Sequence, residues 1–287
     1  LLLNKWAQKM RKQRFKDGAL EFSSVEVKFI LDDRGRPTGV FHKVMKEANF
    51  LIEEFMLLAN RRIARHVGEV KKGSTPKPFV YRVHDLPDPD KLQTLKEFLG
   101  RIGYKLQSTK PENASRALNL LMQEIKDSPE EETIKQMAIR TMAKATYTTE
   151  NIGHYGLSFE YYTHFTSPIR RYPDILVHRL ITAYDSGKTY SNTEELESMS
   201  RHASNMEKKA ADAERATIKY KQVEFMLDKI GEQFTGNISG LTRWGIYVEL
   251  EDTKIEGMIP LNTINDDIYR FDERKNIIVG VRYGDVF

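Results

Sequence analysis

Near residue 230 the periodicity of the sequence changes, and that change limits the fold more than any other feature. Before it, apolar residues recur at helical spacing over long stretches; from Gly231 onward come short alternating runs punctuated by glycine. Such a chain is expected to be α+β. A large domain over residues 1–230, a mixed sheet with many helices, precedes a small β-module over residues 231–287. The 287 residues suffice for one large core and one small one. No stretch approaches the ~20 apolar residues that span a bilayer. Leu1-Leu2-Leu3 is too short for a signal peptide and reads as the start of a helix cut from a longer chain. The absence of cysteine excludes disulfides and thiolate zinc sites and points to a cytoplasmic protein.

Residues 1–16 predict an amphipathic helix with Leu2, Leu3, Trp6 and Met10 at helical spacing, ended by Gly18. Strand-like runs follow at 19–22 and 25–31. Asp32-Asp33-Arg34-Gly35 is a hairpin turn, and residues 40–44 return; Asp32 and Asp33 are turn residues there, not metal ligands. A helix is expected from about 46 to 67, with Val44, Ala48, Leu51, Ile52, Phe55, Ala59 and Ile63 on its main apolar face. Phe50 and Leu57 make its other side apolar, so it should be buried. Asn49, Glu53 and Asn60 form a narrow polar stripe on it. A buried carboxylate needs a partner or a task, so an ordinary Glu–Arg pair and a ligand contact both fit Glu53. Beyond a loop at 68–78 the pattern predicts a strand at 79–83. Helices follow at 91–100, 113–126, 130–144, 169–184 and 194–230, with a glycine-rich loop at 151–156.

A net charge of +4 is modest, so binding to a polyanion must rest on local patches. Lys5, Lys9, Arg11, Lys12, Arg14 and Lys16 form one basic run without an acid. Arg201, Lys208, Lys209, Arg215, Lys219 and Lys221 share a later helix with acids. A solvated helix face and a nucleic-acid surface both fit such runs.

The densest signal is Thr163-His164-Phe165-Thr166-Ser167-Pro168-Ile169-Arg170-Arg171-Tyr172-Pro173-Asp174. Ser167 before Pro168 predicts a helix start. Two arginines there oppose the helix dipole by ~0.3–1 kcal/mol each. Either they join the backbone amides in a phosphate-binding corner, or Arg170 pairs with Asp174 one turn on; spacing alone does not choose.

Taken whole, residues 161–180 resemble the signature of the RNase II/RNase R exoribonucleases, the RNB family. Tyr147, Gly153-His154-Tyr155-Gly156-Leu157, the helix segment from Leu51 to Asn60, Gly18 to Phe22, and Tyr81-Arg82-Val83-His84 fit the same family. The resemblance covers essentially the whole chain. It implies an RNB-type catalytic domain lacking its N-terminal part. The implied activity is processive, sequence-independent 3′→5′ hydrolysis of single-stranded RNA to 5′-mononucleotides by a monomeric, Mg²⁺-dependent enzyme.

The same resemblance assigns roles. Arg170 falls where the family contacts the scissile phosphate, and Arg171 is its helper. Glu53 matches the glutamate that holds the 3′-terminal ribose, with Glu54 the weaker choice. Phe22 matches the aromatic that clamps the base stack. Ser167 and His164 are RNA contacts, and Glu214 lies near the end of the RNA path. His154, His164 and His178 are structural or RNA-contacting rather than catalytic. Residues 231–259 resemble the OB-fold RNA-binding repeat of the largest small-subunit ribosomal protein. Arg243, Trp244 and Tyr247 are its expected contacts, with barrel core the other reading for the two aromatics. The barrel is expected to stop short of its last strands. The family binds Mg²⁺ through clustered aspartates upstream of this region, and neither Asp85, Asp88 and Asp90 nor Asp266-Asp267 has that spacing. This chain alone is therefore expected to bind RNA without cleaving it. A non-catalytic, RNA-binding member of the family is the alternative.

Overall fold

The computed structural model describes residues 1–21, 26–70, 74–128, 130–272 and 277–287. Helix α1 (Leu2–Lys16) precedes a hairpin of β1 (Glu26–Leu31) and β2 (Pro37–Lys43), then α2 (Glu47–Gly68) and β3 (Tyr81–Val83). Next come α3 (Pro89–Arg101), α4 (Pro111–Glu124), α5 (Glu131–Thr141) and β4 (Thr146–Thr148). Helices α6 (Tyr172–Asp185) and α7 (Thr193–Leu227) lead to β5 (Gly236–Thr242), β6 (Gly245–Leu250) and β7 (Glu256–Pro260). Strands β8 (Tyr269–Asp272) and β9 (Ile277–Gly280) complete the order.

Two compact units result. The first comprises Leu1–Ser23, Met45–Glu124 and Met137–Glu214. Its main core draws Ala64 and Val67 from α2, Phe79, Val80, Tyr81 and Val83 around β3, and Tyr147 from β4. It also takes Leu176, Val177, Leu180 and Tyr184 from α6 and Leu196 from α7. Strands β3 and β4 pair antiparallel, with Arg82 opposite Tyr147. Three-residue β4 was not expected from the sequence: it is too short to show alternation. The helices fall close to their predicted places. α3 is started by Asp88, whose carboxylate accepts the amides of Asp90 and Lys91. α1 ends at Gly18, whose φ of +104° is open to glycine at little cost.

Two expectations about faces and one about a strand are corrected. Leu2, Leu3 and Trp6 are exposed; α1 instead buries Ala7 and Arg14. On α2 the buried face is Glu54, Leu57, Asn60, Ala64 and Val67, while Ile52 is exposed. In both helices a polar partner supplied from a distant part of the chain decides which side turns inward. Ala19, Leu20 and Glu21 are not a strand: Leu20 donates its amide to Gly156 O, and Ala19 O accepts from Asn119.

The second unit comprises Ser24–Val44, Ile125–Gln136 and Arg215–Phe287. Here β1 and β2 pair antiparallel from Glu26–Lys43 to Leu31–Pro37. Asp32 closes their turn by accepting the amides of Arg34 and Arg36, as expected of a turn aspartate. Strands β5, β6 and β7 form a three-stranded antiparallel sheet, and β8 pairs with β9. Ile246, Tyr269 and Ile278 share one core between these two sheets. Among the described residues the strands do not close into a barrel. No helix there is long and apolar enough to cross a membrane.

Leu196 is 1% exposed and joins α7 to the main core. Leu196→Ala should lower unfolding free energy by about 2–5 kcal/mol in urea titration. A loss below about 1 kcal/mol would mean that α7 is not docked there.

Candidate nucleic-acid interface

The turn before α6 is built on a buried carboxylate. Ser167 O accepts the amides of Arg170 (3.3 Å) and Arg171 (3.1 Å), bending residues 167–171 back on themselves. Asp174 Oδ1 accepts the Ser167 amide (2.8 Å) and Arg171 Nη2 (2.8 Å), and Asp174 is fully buried. The helix therefore starts at Tyr172 with Arg171 as its N-cap, not at Ser167-Pro168. The ion pair weighed between Arg170 and Asp174 is made by Arg171 instead. The Arg170 side chain is exposed and makes no hydrogen bond or ion pair with another described residue.

On α2, Glu54 is 3% exposed, and its Oε1 accepts both Nε and Nη2 of buried Arg14 on α1. Glu53 touches the same Nη2 at 3.3 Å but keeps 37% of its side chain in solvent. The ordinary buried Glu–Arg pair thus falls on Glu54, and Glu53 remains open to a ligand. Two turns on, Asn60 is buried. It donates to Tyr162 Oη and accepts the Phe165 amide, which pins residues 162–165 to α2.

Residues 153–165 bring the histidines together. Ring contacts run from His84 to His154 (5.1 Å), His154 to Tyr162 (5.2 Å), Tyr162 to His164 (5.7 Å) and His164 to Tyr147 (5.5 Å). Two imidazoles use Nδ1 as an acceptor, His84 from the Gly156 amide and His154 from the Leu157 amide, and His164 Nδ1 shares a hydrogen bond with Tyr147 Oη at 2.8 Å. Burial pushes His164 down to about 2, with Arg171 and Arg82 adding to it. Burial, then His84 and Arg82, pushes His154 down to about 3. Burial raises Tyr147 to about 12, so its hydroxyl stays protonated beside His164. A Cβ on Gly156 would lie 2.7 Å from His84 Nδ1, so only glycine admits that approach. His178 stacks on Phe165 at 4.0 Å and bonds its carbonyl.

Glu214 is exposed on α7. Phe22 lies outside the described residues. In the second unit, the Arg243 guanidinium lies 4.7 Å over the Trp244 ring, and Trp244 is 65% exposed in the β5–β6 turn. Tyr247 is half-buried in mid-sheet between Gly240 and Met258. Arg14, Asn60 and Asp174 were missed as positioning groups. Asp174 carried a signal in its place three residues after Arg171; Arg14 carried none, being 40 residues from Glu54. Among the described residues no three His, Asp or Glu side chains come together to hold a metal ion. Asp88 caps α3, Asp266 and Asp267 bond groups of their own module, and Asp85 bonds the next amide.

Comparison with known proteins decides the family. The RNB domain model matches residues 1–187. The chain belongs to the RNB family. An S1 RNA binding domain follows at residues 227–284. This RNB chain is 39% identical over 283 residues to ribonuclease R 1 of Lactococcus lactis, and 38% over 281 residues to ribonuclease R of Aquifex aeolicus. Each alignment covers 97% of this chain but 34% and 39% of those relatives. A structure of Mycoplasma genitalium RNase R in complex with ribose-methylated single-stranded RNA superposes with a TM-score of 0.89 at 29% identity. That match covers 99% of this chain and 45% of the other. The RNB chain thus spans less than half the length of these relatives.

Two outcomes follow. Glu54→Gln leaves buried Arg14 with only the half-exposed Glu53 as counter-charge and should cost up to about 3–5 kcal/mol, whereas Glu53→Gln should cost no more than about 1 kcal/mol. Equal losses in denaturant titration would contradict this division. The depressed histidines set the second. Below their ordinary 6.5 the unfolded chain binds protons that folded His154 and His164 refuse. Stability therefore falls as pH drops below about 6.5 towards about 3. The melting temperature should decline between pH 7 and pH 5, less steeply in His164→Gln; a flat or rising profile would oppose it.

Proposed function

We propose that this chain supplies the RNA-holding part of a processive, sequence-independent 3′→5′ exoribonuclease that releases 5′-mononucleotides from single-stranded RNA. The observation that carries the reading is Arg170: an exposed arginine without a partner among the described residues, on a turn fixed by a buried carboxylate, in an RNB chain. Its planar fork suits two phosphate oxygens at once. Glu53, half open on α2, is suited to accept ribose hydroxyls. Trp244 with Arg243 offers a stacking face that ignores base identity, as a sequence-independent enzyme requires. The names of the ribonuclease R relatives and the RNA in the Mycoplasma complex support RNA as the ligand.

Hydrolysis in this reading uses Mg²⁺ held by aspartates that this chain does not contain. Asp88 already caps α3, and Asp267 already binds backbone amides of its own module. The chain alone should then bind RNA without cleaving it, and the catalytic roles of Arg170 and Glu53 belong to the longer protein.

The test uses 5′-labelled single-stranded RNA with Mg²⁺, incubated with this chain and with a longer protein containing it. The longer protein should shorten RNA from the 3′ end while the chain only binds. Arg170→Lys in the longer protein should slow cleavage roughly tenfold or more. Mononucleotide release by the chain alone would refute the metal assignment. Binding without cleavage by both would make the protein an RNA-holding member of the family.

A further inference from the structure

The start of α6 is assembled in an unusual way. Helix N-termini are generally capped by a short hydroxyl or carboxylate at the N-cap itself. Here the N-cap is Arg171, with no side-chain cap bond, and the carboxylate sits inside the first turn at Asp174. That carboxylate is fully buried and reaches backwards, to the Ser167 amide and the Arg171 guanidinium. Its second oxygen, the Arg171 Nε and the Thr166 hydroxyl are buried without hydrogen-bond partners among the described residues. Burying a charge with part of its bonding capacity unused is costly. A Ser or Thr cap would start the helix without that cost.

What the costly arrangement does is geometric. Ser167 is held from both sides: its amide by Asp174 and its carbonyl by the amides of Arg170 and Arg171. The three residues between the two anchors are Pro168, Ile169 and Arg170, all carried on that bend, and Ile169 and Arg170 are exposed. Arg171 is tied inward by the same carboxylate. Only one of the two adjacent arginines is left free, and its backbone is fixed at both ends.

We infer that Asp174 is a positioning residue: it holds the Ser167–Arg171 turn so that Arg170, and not Arg171, faces the RNA phosphate. This rests on the reading of Arg170 given above. Asp174 itself touches no RNA. Removing its charge should release Arg171 and loosen the turn, so the Arg170 contact weakens although Arg170 is unchanged.

The test is a double-mutant cycle on this chain, with a fluorescein-labelled single-stranded oligoribonucleotide titrated at several salt concentrations. Arg170→Ala should weaken binding and lower the slope of log K against log salt by about 0.7, the value for one phosphate contact on a single strand. Asp174→Asn should weaken binding several-fold with a comparable loss of slope. In the Arg170→Ala background it should have little further effect. A purely structural role would lower the melting temperature and leave the salt slope and the coupling unmoved.

If Asp174→Asn is folded and keeps the wild-type affinity and slope while Arg170→Ala loses both, the positioning role is wrong and the reading of Arg170 stands. If Arg170→Ala changes nothing, that reading fails first and the positioning role with it. Should Asp174→Asn not fold, Arg171→Gln decides. Its effect should vanish in the Arg170→Ala background if the turn acts through Arg170. Additive losses would mean that Arg171 meets a phosphate of its own, and would overturn the inference.

Discussion

Asp174 is the constraint on which the candidate interface depends. It has no access to solvent, so its charge must be met within the protein, and two donors from the preceding turn meet it. That requirement bends the chain at Ser167, delays the helix to Tyr172, and draws one arginine inward while leaving its neighbour outside. The dipole argument against cations at a helix start is answered by the same acid, whose position in the first turn is the favoured one for a carboxylate.

The same logic recurs on α2. Glu54 and Arg14 neutralise each other out of solvent, joining α1 to α2, and Asn60 ties α2 to the loop that leads into the turn. Buried polar groups, each with named partners, thus fix the backbone around two exposed or half-exposed ones, Glu53 and Arg170. Breaking such a pair costs far more than an open surface pair is worth, so the scaffold is stiff where the free side chains need it to be. The neutral histidines between these elements pack as aromatic rings rather than as charges, which burial enforces.

Much of this was legible in the sequence, and what was not has a common cause. Helix positions followed from periodicity and caps, and the shift at Gly231 announced the β-module. The string around Ser167 announced a special helix start. Which arginine pairs with Asp174 was not legible, since Arg170 and Arg171 both lie within one turn of it. The pairing of Arg14 with Glu54 was invisible, because nothing local links residues 40 apart. The inward faces of α1 and α2 were misjudged for the same reason: Arg14 and Glu54 turn inward together although each alone reads as a surface residue. Trp244 was weighed between core and contact, and its exposure in a turn takes it out of the barrel core.

The most direct measurement is photo-crosslinking of this chain to a single-stranded RNA bearing 4-thiouridine at its 3′ end, with the adduct mapped by peptide mass spectrometry. Adducts on peptides spanning residues 167–172 or the first half of α2 are the expected result, since Arg170 and Glu53 would face the 3′-terminal nucleotides. Adducts confined to residues 231–287, with none on either of those segments, would contradict it.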